Sequence, residues 1–201
     1  TIIATTDGQV SVPNLVETSD GEVFVTFTSQ SVPTTSSVQV WSRVEGTESW
    51  KLKKKWEKPD SPEFFGATLI STGEKRLTVV WGQMNGGAIM ASDIDLSDNL
   101  SSEPIEIVAS SGVLRPHLLS HLDLGDHTMT LVWGEQDNYG ALYMARSWNE
   151  GESWSMRVPL DSQASRFAMT ADGEGRLHFV WNKKDTPHPK GFERVPSGTE
   201  S

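Results

Sequence analysis

Arg115 and Arg166 invite chemistry first: they lie 51 positions apart, and each opens a short half-apolar stretch, 116–122 and 166–171, that recurs along the chain. A guanidinium presents its donors in a planar fork that grips a carboxylate through two parallel bonds, so the pair suits an acidic ligand. The competing reading is an ordinary pairing of each arginine with a neighbouring carboxylate of its own protein. Glu135, Asp137 and Tyr139 fall in one polar segment, 134–140, with Gln136 and Asn138; Gln83 and Asn85 fall in another, and Asp185 and His188 in a third. Loop acids in an acidic protein are ordinarily solvated, and Tyr139 within Asp-Asn-Tyr-Gly also suits a turn cap.

Other chemistries find no support. Cysteine is absent, which removes disulfides, thiolate metal sites and cysteine nucleophiles. His117, His121, His127, His178 and His188 show no metal-ligand spacing; His117 and His121 share a strand face without being adjacent. Asn85-Gly86-Gly87 precedes a strand rather than a helix, so it is no phosphate loop, and no nucleophile elbow supports a serine triad. Neither metal nor cofactor is expected. Acids outnumber bases 27 to 17, and a formal charge of −10 repels phosphate backbones, so no nucleic-acid partner is expected. No run reaches the roughly 18 apolar residues of a membrane helix.

The elements that would position these residues repeat. Runs at 23–27, 77–81, 129–133 and 177–181 each end in an aromatic, Phe27, Trp81, Trp133 and Trp181, at spacings of 54, 52 and 48. Each follows a polar turn, usually with glycine, and each turn follows a short half-apolar strand (12–17, 65–70, 116–122, 166–171). Val38–Trp50 aligns with Leu142–Trp154, both ending Ser-Trp, and Ala88–Leu100 is a third copy. Short β-branched and aromatic runs punctuated by Gly, Asp and Asn predict strands throughout. A unit of four antiparallel strands repeating at about 40–50 residues is the pattern of a propeller blade. The 201 residues are expected to form one all-β domain of units about 12–58, 62–108, 115–160 and 166–196, with 1–11 as a candidate closing strand. The lysine-rich run 51–58 is expected to be an exposed edge strand.

Ser147-Trp-Asn-Glu-Gly-Glu-Ser-Trp154 resembles the Asp-box, or BNR repeat, of sialidase-like propellers, in which the pattern runs Ser-x-Asp-x-Gly-x-Thr-Trp. Asn149 stands in the aspartate slot and Ser153 in the threonine slot; Gly151 and Trp154 are kept. The copies at 43–50 and 93–100 are degenerate. Turn chemistry explains Ser147, Asn149, Gly151, Ser153 and Trp154 as structural. The resemblance implies a six-bladed propeller, which at this spacing needs roughly 300 residues, so an incomplete or fragmentary propeller of about four blades is expected, a small four-bladed ring being the alternative. The chain opens at Thr1 without methionine or an apolar leader, so it is expected to be processed or part of a longer protein.

The resemblance also implies three carboxylate-clamping arginines, a tyrosine nucleophile with a glutamate, and an acid/base aspartate. Arg115 and Arg166 match by position, Tyr139 with Glu135 by placement, and Asp137 by loop position. If these are blades, the polar turns fall on one face and the longer loops on the other. Two functions are set side by side. The first is a non-catalytic recognition module binding a glycan or a protein through Arg115, Arg166, Tyr139, Gln83 and Asn85. The second is an exo-sialidase-type glycoside hydrolase acting on terminal acidic sugars; a structural segment of a larger surface protein is a third. Two arginines rather than three and degenerate Asp-boxes favour recognition. An extracellular, periplasmic or cell-surface location is expected, with homo-oligomerisation or further blades from a longer chain as possible partners.

Overall fold

The computed structural model describes residues 8–31, 35–44, 46–58, 64–72, 75–83, 88–109, 113–123, 126–135, 141–162, 164–172, 174, 176–183 and 190–194. These form fifteen strands in four sheets, each an antiparallel meander with its strands in sequence order. The first sheet is β1 (Asn14–Glu17), β2 (Glu22–Ser31), β3 (Thr35–Val44) and β4 (Lys51–Lys58). The second is β5 (Phe64–Ser71), β6 (Arg76–Gln83), β7 (Ala88–Asp95) and β8 (Ile105–Ala109). The third is β9 (Val113–Asp123), β10 (Asp126–Glu135), β11 (Ala141–Ser147) and β12 (Val158–Asp161). The fourth is β13 (Ala164–Ala171), β14 (Leu177–Lys183) and β15 (Lys190–Arg194), three-stranded among the described residues. The chain divides into two compact units, Thr1–Pro116 and His117–Ser201.

In the first unit the middle strands are apolar in near-continuous runs because both of their faces are covered. Phe24 to Ser29 of β2 and Leu77 to Gly82 of β6 are all buried. The face of the first sheet carrying Phe24, Val38 and Val40 packs on the face of the second carrying Leu69, Leu77, Val79 and Trp81. Trp56 of β4 meets Trp81 with ring centroids 5.1 Å apart, and Phe64 meets Trp81 edge-on at 6.2 Å. Such aromatic pairs add about 0.5–1.5 kcal/mol beyond the area they bury. A hydrogen bond links the sheets too: Leu69 N donates to the side-chain Asn14 Oδ1 at 2.9 Å. On the other face of the first sheet the buried polar groups satisfy one another. Gln39 Nε2 donates to Ser29 and Ser37 at 3.0 and 3.1 Å, and Trp41 Nε1 donates to Gln39 Oε1 at 3.0 Å.

The second unit repeats the scheme. Val132, Leu142 and Met144 of the third sheet pack on Met169, Leu177 and Phe179 of the fourth, with Leu160, Phe167 and Trp181 at the margin. Trp81 and Trp133 are fully buried, as their strand-end positions predict, whereas Trp181 is half-buried. The lysine run forms β4, at the edge of its sheet and largely exposed. Residues 9–11 pair with β2, through Ser11 N to Thr28 O and Gln30 N to Gln9 O, both 2.9 Å, so they continue the inner edge of the first sheet. The rest of the candidate closing strand, residues 1–7, lies outside the described residues.

Candidate functional site

Alternating strand direction sorts each sheet into two ends. The turns 18–21, 45–50, 96–104 and 148–157 close one end, and the last two, of nine and ten residues, exceed every segment joining strands at the other, so the longer connections do not gather at the end expected from sequence. At the other end stand the first residues of β1, β3, β5, β7, β9, β11, β13 and β15 and the last residues of the even-numbered strands. Every binding residue expected from sequence falls at this second end or in the segments that join strands there. Arg115 is the third residue of β9 and Arg166 the third of β13, each on the edge strand that opens its sheet. Arg166 faces Asn182 in the ladder, beside an irregularity that follows Ala164. Glu135 closes β10 opposite Ala141. Gln83 closes β6, half-buried, between Phe64 and Ala88. The side chains of Arg115, Arg166 and Glu135, and the whole of Asn85, Gln136, Asp137, Asn138, Tyr139, Asp185 and His188, lie outside the described residues.

The turn end is held by local hydrogen bonds. After β11, Gly151 N donates to Ser147 Oγ at 2.8 Å, and Ser147 Oγ donates to Asn149 Oδ1 at 3.0 Å. Asn149 Oδ1 also accepts from Ser153 N at 3.0 Å, and Trp154 Nε1 donates to Gly151 O at 3.1 Å. Glu150 and Gly151 adopt φ of 56° and 90°, and glycine removes the Cβ penalty where the excursion is larger. All five residues of this motif therefore have structural partners. The two degenerate copies close by other means: Val44 O accepts from Thr47 N and Oγ1 after β3, and Asp95 and Asp98 accept from Ser97 N and Leu100 N after β7.

Two clusters were not singled out by sequence. At the turn between β13 and β14, Asp172 Oδ2 meets Arg176 Nε at 2.7 Å and His178 Nε2 at 2.9 Å. The His178 hydrogen bond, followed by that of Arg176, holds the Asp172 carboxyl well below the usual carboxylate range. His178 thus bonds from β14 to the turn that precedes it, and among the described residues no cluster of three or more His, Asp or Glu is placed to hold a metal. The second cluster surrounds β12. Leu142 lies opposite Asp161 but Tyr143 opposite Pro159, so Leu160 is an extra residue, a β-bulge. Around it Ala141, Tyr143, Pro159, Leu160, Asp161 and Ser162 line a pocket of about 370 Å³. Asp161 Oδ2 accepts from Trp181 Nε1 at 2.8 Å. The signals were present as Pro159 in a short strand and Asp161 at its end, but only the register brings them together.

No family model matches the chain, and no curated protein matches it. Solved structures do resemble it. A protein of unknown function from Dyadobacter fermentans DSM 18053 superposes with a TM-score of 0.71 at 9% identity, over 92% of this chain and 60% of that one. A thermostable family-43 glycoside hydrolase, a five-bladed propeller, gives 0.61 at 11%, over 92% and 71%. The sialidase NanB, solved with Optactamide, gives 0.62 at 14%, over 86% and 27%. The chain thus spans less than two thirds of two of these three proteins. At such identities the likeness shows the fold alone, and that fold is an all-β, propeller-like one shared with glycosidases.

Proposed function

We propose that this chain is a non-catalytic glycan-recognition module that binds an acidic sugar at the loop-bearing strand ends. The residues that carry the proposal are Arg115 and Arg166 for a carboxylate, and Tyr139, Gln83 and Asn85 for ring substituents. The observation that carries the reading is position in the strand: both arginines are the third residue of the edge strand that opens their sheets. Carboxylate recognition by paired guanidiniums is geometrically specific as well as strong. The turn residues Ser147, Asn149, Gly151, Ser153 and Trp154 hold an Asp-box-like hairpin at the opposite end and touch no ligand. The site belongs to a secreted or surface-exposed protein, and further blades come from a second copy or a longer chain. Titration calorimetry with the methyl glycoside of N-acetylneuraminic acid tests this. Binding lost in the Arg115→Ala, Arg166→Ala double variant is expected; unchanged binding removes the arginine site.

A second reading, an exo-sialidase-type glycoside hydrolase using Tyr139, Glu135 and Asp137, is favoured by the glycosidases among the structural neighbours. Release of a fluorescent aglycone from an N-acetylneuraminic acid glycoside, abolished by Tyr139→Phe, would replace recognition with catalysis.

A further inference from the structure

We propose that the pocket at the β11–β12 bulge is a second carbohydrate site, one for a neutral sugar. It goes beyond the acidic-sugar reading and does not depend on it. The site arises from backbone causes. Pro159 has no N–H to give the ladder, and the extra residue Leu160 sits in the marginal core between the third and fourth sheets. Both effects put β12 out of step with β11 where the 370 Å³ space opens, within the roughly 300–1,000 Å³ of small-molecule sites.

The lining suits a polyhydroxylated, uncharged ligand. Ala141, Pro159 and Leu160 offer apolar surface for ring C–H groups. Tyr143 forms a fixed wall, stacked on Trp133 at 6.0 Å and 25° and capped by the Arg157 guanidinium at 4.7 Å from its centroid. Asp161 supplies carboxylate acceptors for hydroxyl donors, and Ser162 adds an exposed hydroxyl at the rim. The Trp181 indole holds one Asp161 oxygen, so the carboxylate is oriented before any ligand arrives. Arg115 stands apart from this pocket: β12 and β9 are the opposite edges of the third sheet, three strand spacings or about 14 Å apart.

The test is calorimetry or saturation-transfer NMR on the full chain with methyl glycosides of glucose, galactose, mannose and xylose. The methyl glycoside of N-acetylneuraminic acid and an amino-sugar glycoside serve as the charged comparisons. The expected result is binding of at least one neutral glycoside. Asp161→Asn, which can still accept from Trp181, should weaken it at least tenfold, and so should Ser162→Leu, which fills the rim from an exposed position. The Arg115→Ala variant, changed on the opposite edge strand of the same sheet, should bind it unchanged. No binding of any neutral glycoside overturns the proposal, as does binding that Asp161→Asn and Ser162→Leu leave intact. Binding restricted to the amino sugar overturns the neutral assignment. Failure of the acidic-sugar reading is read separately, from the methyl glycoside of N-acetylneuraminic acid alone.

Discussion

Gly151→Ala offers a quantitative test of the hairpin that closes β11. Gly151 sits at φ +90°, further from the left-handed minimum near +57° than an alanine accepts without strain. Holding an L-residue there costs roughly 1–2 kcal/mol. An added Cβ would lie 3.3 Å from Met129 Sδ and 3.7 Å from Met129 Cε, both near the tip of a flexible side chain, so the contact adds only a few tenths. Relief by shifting the backbone would break Gly151 N to Ser147 Oγ and Trp154 Nε1 to Gly151 O, so the strain cannot be shed without loss. The total is about 1.5–2.5 kcal/mol, a fall in Tm of roughly 3–10 °C for a chain of this length. Gly46→Ala is the control: φ is +75° and nothing lies within 4 Å, so only backbone strain applies and the fall is smaller. Thermal and urea unfolding of both variants beside the parent measure the difference. At a position whose φ suits it, alanine stabilises by about 0.4–1 kcal/mol through the unfolded state. A Gly151→Ala variant as stable as the parent, or more so, would therefore refute the positive-φ assignment and the structural role of the motif with it.

Two further outcomes follow from described contacts. Because the folded-state pKa of Asp172 is depressed by His178 and Arg176, its contribution to stability is fully present above the unfolded value near 3.9 and is lost as pH falls towards the folded one. Asp172→Asn should flatten the acid limb of the urea midpoint below pH 4, and an unchanged limb would remove the linkage. Replacing Lys51, Lys54 and Lys55 on the exposed edge strand β4 with threonine should raise self-association in light scattering without lowering Tm appreciably. A variant that stays as monodisperse as the parent would show that those charges do not protect the edge.

Much of the fold is legible in the sequence because its causes are local. The runs ending in Trp81 and Trp133 read as buried strands because continuous apolar β-formers next to polar turns have no better conformation. The turn Ser147–Trp154 reads correctly because its donors and acceptors lie within a few residues of one another. Repetition of these local signals separated the two ends of each sheet, and so placed Arg115, Arg166, Gln83 and Glu135 at one end before any coordinates. Sequence alone also determined what the chain cannot use, since a protein without cysteine has no thiolate chemistry.

Tertiary structure decided the pairings between distant segments. Trp56 on Trp81, Leu69 N to Asn14, and Asp161 to Trp181 each depend on which sheet face meets which. A one-residue change of register would reverse every one of those faces. The bulge at Leu160 is such a change, confined to one strand. Nothing in the order of Pro159, Leu160 and Asp161 announces a pocket. It exists because β12 pairs with β11 out of step, and because a tryptophan twenty residues on donates to the carboxylate that results.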